Sequence, residues 1–175
     1  MKIGGIGGGN TITGLNFEKE TDILTLLRTK KGYKVVGNII YYEEKEVAKS
    51  FKKNGLYKFL ETKGVDYTKI LSKKLLPDEA IYVIINNTLF IIEVKFQKVA
   101  GSVDEKLQTC DFKRKQYAKL MAPLNIEVEY IYILSEWFNH PSYKDVRDYI
   151  ISVGCQYYFK YLPLQKLGLP IPNEE

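Results

Sequence analysis

The sequence has one histidine, two cysteines and three arginines (Arg28, Arg114 and Arg147) in 175 residues. Each scarcity excludes something. The single histidine, His140, sits beside Pro141 as an expected loop residue and argues against a zinc site of the usual His/Cys composition, an HNH-type nuclease centre and a nucleophile–histidine triad. Two cysteines, Cys110 and Cys155, make no disulfide framework; in a reducing compartment they are expected as free, part-buried thiols. No apolar run reaches the roughly 18 to 20 residues of a membrane helix. The longest runs, 81–85 and 89–92, are strand-sized. The opening MKIGGIGGGN lacks the apolar block and cleavage site of a signal peptide, so a cytoplasmic protein with no membrane partner is expected. Its glycines, Gly4 to Gly9, read as a loose arm, because the Lys-Ser/Thr ending of a phosphate loop is missing. Repeats, low-complexity tracts and linkers are absent too.

What is present suits one globular domain spanning 1–175, at 45% hydrophobic and 27% charged residues. The formal net charge is +5, a weak pointer to an anionic partner. Its distribution says more. Residues 45–74 carry nine lysines against Glu46, Glu61 and Asp66, and read as a basic insert, about 47–74, helical in patches. A second cluster, Lys113-Arg114-Lys115 with Lys119, falls on an expected helix. Arginine reads guanine through paired hydrogen bonds, whereas lysine is a point charge suited to phosphate. Few arginines among many lysines therefore favour contact with a nucleic-acid backbone over base readout. The bias toward Lys, Ile, Asn and Tyr matches AT-rich codons and offers a second reason for so few arginines.

Periodicity predicts a helix over 17–31, a strand region over 33–42 broken near Gly37-Asn38, and a hairpin over 80–95. A helix over 102–121 follows, opened by a Ser102/Glu105 capping box. Then come a strand over 127–134, a helix over 142–153 and a short aromatic strand over 155–161. The order predicts an α/β (α+β) domain with a mixed central sheet flanked by helices.

The hairpin holds charges where a strand normally would not. Pro77-Asp78-Glu79 opens its first strand, and Glu93-Val94-Lys95 follows four apolar residues in its second. A two-residue turn at Asn86-Asn87 makes Asp78 face Lys95 and Ala80 face Glu93. Opposed residues share a face and the face alternates with period two, so Asp78, Glu93 and Lys95 are expected on one side, around the small Ala80. Two carboxylates brought together repel, and charges on a part-buried strand are costly unless paired. A divalent cation removes both penalties. Mg²⁺ takes oxygen ligands, usually one or two carboxylates plus waters, and the lysine can then stabilise charge on a phosphate. As a purely structural pattern, Glu93 and Lys95 would alternate on an exposed face and Asp78 would cap a turn.

With Pro77-Asp78 at a strand entrance and Glu93-Val94-Lys95 some 15 residues on, the sequence resembles the PD-(D/E)xK nuclease superfamily, and type II restriction endonucleases in particular. The resemblance implies a restriction-endonuclease-like core. It also implies Asp78 and Glu93 as Mg²⁺ ligands with the main-chain carbonyl of Val94, and Lys95 as the catalytic lysine at the scissile phosphate. Asn10-Thr11-Ile12-Thr13-Gly14-Leu15-Asn16-Phe17-Glu18 looks like the NTxTGLxFE stretch of several restriction enzymes, which brings Glu18 toward the metal. Gln97 extends the motif to Glu-x-Lys-x-Gln, where the glutamine can touch a phosphate or a ligand water. Ser102 and Lys106, at the opening of the next helix, and Lys113 and Arg114 along it, are candidate DNA contacts. As structural residues, Glu18, Gln97 and this stripe would simply be solvated.

The stretch from Ile133-Leu134-Ser135-Glu136-Trp137-Phe138 to Tyr157-Tyr158-Phe159 also looks like the small cleavage subunits of heterodimeric type IIS enzymes. The resemblance thus implies a DNA endonuclease of a bacterial restriction–modification system. One active site cuts one strand of double-stranded DNA, so a larger recognition subunit is expected as partner. A homodimer reading a short palindrome, a non-catalytic nucleic-acid-binding module and a structure-specific nuclease are the alternatives.

Overall fold

The computed structural model describes residues 13–18, 21–98 and 103–173, and the side chains of Val103 and Asp104 are not part of the description. Gly4 to Gly9, Asn10 to Ile12, Gly101 and Ser102 lie outside the described residues. The protein is a mixed α/β protein built on a seven-stranded mixed sheet. A short strand, β1 (Gly14–Asn16), precedes a one-and-a-half-turn helix, α1 (Ile23–Arg28). The sheet runs in sequence order: β2 (Tyr33–Val36), β3 (Ile39–Tyr42), β4 (Lys45–Phe51), β5 (Glu79–Val83), β6 (Thr88–Lys95), β7 (Glu127–Leu134) and β8 (Gln156–Phe159). Neighbours from β2 to β6 are antiparallel; β6, β7 and β8 are parallel. Helix α2 (Gly55–Thr62) follows β4. A short α3 (Val103–Lys106) and the longer α4 (Cys110–Met121) lie between β6 and β7, and α5 (Lys144–Ser152) lies between β7 and β8. Strand β9 (Tyr161–Pro163) pairs antiparallel with β1 beside the sheet.

Strand β6 is buried on both faces, which is why its sequence reads as a continuous apolar run rather than an alternation. Leu89 and Ile91 point to one core, with Tyr57 of α2, Tyr117 and Leu120 of α4 and Ile150 of α5. Phe90 and Ile92 point to the other, with Ile23 and Leu27 of α1 and Leu162 of β9. Both cysteines are free and buried, and no helix among the described residues is long and apolar enough to cross a membrane.

Several sequence expectations change. The helix expected from 17 is confined to Ile23–Arg28. The Asp22 carboxylate accepts from the Thr25 amide at 2.8 Å and fixes the helix start there. Phe17 instead extends the β1–β9 pairing, its amide donating to the Lys160 carbonyl at 2.7 Å. Although burial opposes its charge, the Thr25 amide and Lys52 hold Asp22 at a pKa of about 2, below the ordinary 3.8. Asp22→Ala is therefore expected to cost about 1 kcal/mol in thermal melts at neutral pH. That difference should close as the pH falls from 3.8 toward 2 and the wild-type carboxylate takes up its proton.

The basic insert is only partly helical, since its first part is sheet. Strand β4 pairs with both β3 and β5, and its register against β3 shifts so that Ile40 faces Ala48 while Tyr41 faces Glu46. Val47 is the extra residue, so Val47 and Ala48 both enter the α1-side core. The 102–121 helix is interrupted by a 3₁₀ turn over Leu107–Thr109, and the 142–153 helix opens as 3₁₀ over Pro141–Tyr143. The aromatic strand divides into β8 and β9 at Lys160, which has φ 58°.

The hairpin turn differs as well. Glu79 faces Ile92 and Val83 faces Thr88, leaving four residues, 84–87, in the loop. A two-residue type I′ turn needs positive φ at both central positions; of Asn86 and Asn87 only Asn87 has it, at 49°. The register shift is even, so every side chain keeps its face. Carried one residue past β5, it sets Asp78 opposite Glu93.

Candidate active site

Glu93 lies on the α4 side of β6, in line with Leu89 and Ile91, and is 8% exposed. Its two oxygens differ. Oε1 accepts a short hydrogen bond from the Tyr130 hydroxyl of β7 and another from Lys113 Nζ of α4 at 3.0 Å. Oε2 is buried without a hydrogen bond, and Lys95 Nζ stands 3.4 Å from it. Burial, then the negative charge of Glu93, pushes the Tyr130 phenol well above its ordinary pKa, so it remains a donor. Two ammonium groups thus offset one enclosed carboxylate, and a phenol fixes its orientation.

Asp78 stands at the entrance of β5 with its side chain 58% exposed, and its Oδ1 takes a short ion pair from Lys53. The Lys53 amide also donates to the Pro77 carbonyl at 2.8 Å, so one lysine braces the strand entrance by backbone and side chain. Burial raises the Tyr117 pKa most, and the neighbouring Tyr57 and the charges of Glu93 and Asp78 add to it. The Val94 side chain packs in the opposite core.

Among the described residues, no group of three or more His, Cys, Asp or Glu side chains gathers to hold a metal ion. Asp78 and Glu93 supply two carboxylates, a number that suits a hard cation such as Mg²⁺. Glu93 Oε2, which accepts no hydrogen bond, would be one ligand atom, and Asp78 would have to exchange Lys53 for the ion.

Glu18 and Gln97 line a cleft of about 800 Å³ with Trp137 and Lys160. The Gln97 backbone and the Ser135 hydroxyl exchange hydrogen bonds, at 3.0 Å from the amide and 2.9 Å to the carbonyl. Ser102 lies outside the described residues. Lys106 is exposed, and its carbonyl accepts from the Tyr132 hydroxyl at 3.3 Å. Arg114 turns inward: Nη2 donates to the Val153 carbonyl at the end of α5 at 3.1 Å and lies 3.5 Å from Asp111. In this position it closes a helix C-terminus.

Set against known proteins, the chain matches no family model, no curated protein and no solved structure.

Sequence reasoning misses two partners of Glu93 and one buried carboxylate on the other face of the sheet. Lys113 was read as part of a solvated or DNA-facing stripe, yet it stands three residues after the buried Cys110 and four before the buried Tyr117. That spacing puts it on the inner face of α4, a legible signal. Tyr130 falls within the apolar strand expected over 127–134, and nothing in its local sequence marks it as a partner of Glu93. Glu79 was read as part of the strand opening. It faces the other core, 7% exposed. Its Oε1 accepts from the Ile23 amide at 2.9 Å, and its Oε2 has no hydrogen bond. Burial, against the Ile23 amide and Lys52, raises its pKa to about 7 from 4.5.

Proposed function

We propose that the chain is a magnesium-dependent DNA endonuclease subunit of the PD-(D/E)xK type, with a restriction-endonuclease-like core, cutting one strand per active site. The observation that carries the reading is the environment of Glu93. An enclosed carboxylate on a central strand has one oxygen saturated by Tyr130 and Lys113 and the other left bare beside Lys95. The place of Asp78 directly before β5, whose pairing with β6 begins at Glu79 and Ile92, and a following helix and parallel strand support the same reading. Glu93 and Asp78, with the Val94 carbonyl, would hold the ion. When bound, Mg²⁺ supplies positive charge at the phosphate and a more acidic water. Lys95 stabilises the charge that develops on the phosphate. Tyr130 and Lys113 keep Glu93 from turning its second oxygen away. A second copy or a larger subunit supplies the other strand's active site and the target sequence, in a bacterial cytoplasm.

One observation favours a second reading, a nucleic-acid-binding module without catalysis: Asp78 is engaged by Lys53. A supercoiled-plasmid assay decides between them. With Mg²⁺, alone and with a co-encoded partner, the wild type is expected to nick or cut, and Asp78→Ala and Lys95→Ala to lose at least about a hundredfold in rate. Equal activity in all three excludes the mechanism; binding without cutting in all of them favours the second reading.

A further inference from the structure

The three parallel strands end at one place. Lys95 closes β6, Leu134 closes β7 and Phe159 closes β8, and the residues that follow each of them line the 800 Å³ cleft. In open α/β sheets, the carboxyl ends of parallel strands are where ligands bind, and the volume is within the roughly 300–1,000 Å³ of small-ligand sites. The floor is tied together beyond the strands. The Ser135 amide donates to the Lys95 carbonyl at 3.1 Å, the Lys160 amide to the Leu134 carbonyl at 3.0 Å, and the Phe17 amide to the Lys160 carbonyl at 2.7 Å. These bonds hold Lys160 at φ 58°, where a side chain longer than Asn is uncommon. On the wall, the Trp137 indole N–H donates to the Tyr143 hydroxyl at 2.8 Å, which sets the plane of the ring.

We propose that this cleft binds one nucleotide of a single DNA strand. Its base stacks on Trp137 and its phosphate is held by the ammonium groups of Lys98 and Lys160. An aromatic platform with lysines is the pattern of sequence-tolerant single-strand binding. The cleft also offers the Glu18 carboxylate as an acceptor to a base edge. A free amino acid or sugar would not use the ring face and two ammoniums together. The inference rests on the nucleic-acid reading above for its ligand, and it does not require cleavage.

The chain has a single tryptophan, so its emission comes from one wall of this cleft, and the lysine variants below tie a change in it to the cleft. The test titrates the full chain with a fifteen-nucleotide oligo(dT), and with a blunt duplex hairpin as control, in buffer containing a chelator. Oligo(dT) is expected to quench Trp137 saturably, and the hairpin to leave it unchanged. The double variant Lys98→Ala/Lys160→Asn, in which Asn tolerates the backbone conformation, is expected to bind at least about tenfold more weakly. Its salt slope should be shallower by about 0.7, the value for one lost phosphate contact on a single strand. Trp137→Ala, followed by anisotropy of a labelled oligo(dT), is expected to weaken binding by about tenfold. Absent quenching, or quenching that both lysine substitutions leave intact, overturns the proposal. Quenching without plasmid cleavage by the wild type would overturn the nuclease reading and leave this one standing. Plasmid cleavage without quenching would do the reverse.

Discussion

Glu93→Gln is expected to lower magnesium-dependent strand cleavage by at least about a hundredfold while the chain stays folded. Glutamine keeps an oxygen for the Tyr130 hydroxyl but removes the charge that draws Lys113 to 3.0 Å and Lys95 to 3.4 Å. Breaking a fully enclosed ion pair costs about 3–5 kcal/mol, because a charge is left without a partner. Here the lysine side chains are 20% and 29% exposed and can turn toward water. The stability loss is therefore expected at about 1–2 kcal/mol. Plasmid cleavage and urea melting on the same preparation separate the two effects. Wild-type activity in this variant would remove Glu93 from the site.

The second large effect concerns Glu79 on the other face of the sheet, and it appears in stability rather than in cleavage. Its folded pKa is about 7, against 4.5 unperturbed. Between those values the folded chain binds the proton and the unfolded chain does not. The stability contributed by protonation is complete below pH 4.5 and is lost as the pH rises through about 7. A difference of that size corresponds to about 3 kcal/mol. Glu79→Gln keeps an oxygen for the Ile23 amide and replaces the bare Oε2 with a neutral group. It is expected to stabilise the protein by about 1–3 kcal/mol at pH 8, to change little at pH 4, and to flatten the wild-type slope between them. Urea melts of both proteins across that range are the check. Identical pH profiles would mean that Glu79 reaches water in solution.

The sequence made some of this arrangement legible and hid the rest, for reasons that can be assigned to particular residues. The hairpin strands and β7 were readable because their apolar runs come from a sheet covered on both faces. Glu93 and Lys95 share a face at any register because they stand two apart in one strand, and the even register shift at Asn86-Asn87 leaves the face of each β5 position as expected. Strand β4 was hidden by its lysines and by the bulge at Val47, which breaks the two-residue period. The start of α1 was present in the sequence as Asp22, but the residues before it, Phe17 followed by Glu18, Lys19, Glu20 and Thr21, contain no glycine or proline to stop a longer helix. The partners of Glu93 were hidden for another reason. Lys113 and Tyr130 are 20 and 37 residues away in sequence, and only the packing of α4 and β7 on β6 brings them in. The orphaned oxygen of Glu79 likewise follows from which core its strand position faces, not from its neighbours in sequence.

The central claim is that Glu93 and Asp78 together hold a divalent cation, and the most direct measurement is Mn²⁺ binding followed by electron paramagnetic resonance. Wild type should take up one ion per chain saturably, in competition with Mg²⁺, and Glu93→Gln should lose that uptake while its melting shows a folded chain. Saturable uptake of the same affinity in Glu93→Gln, or none in the wild type, would contradict the account.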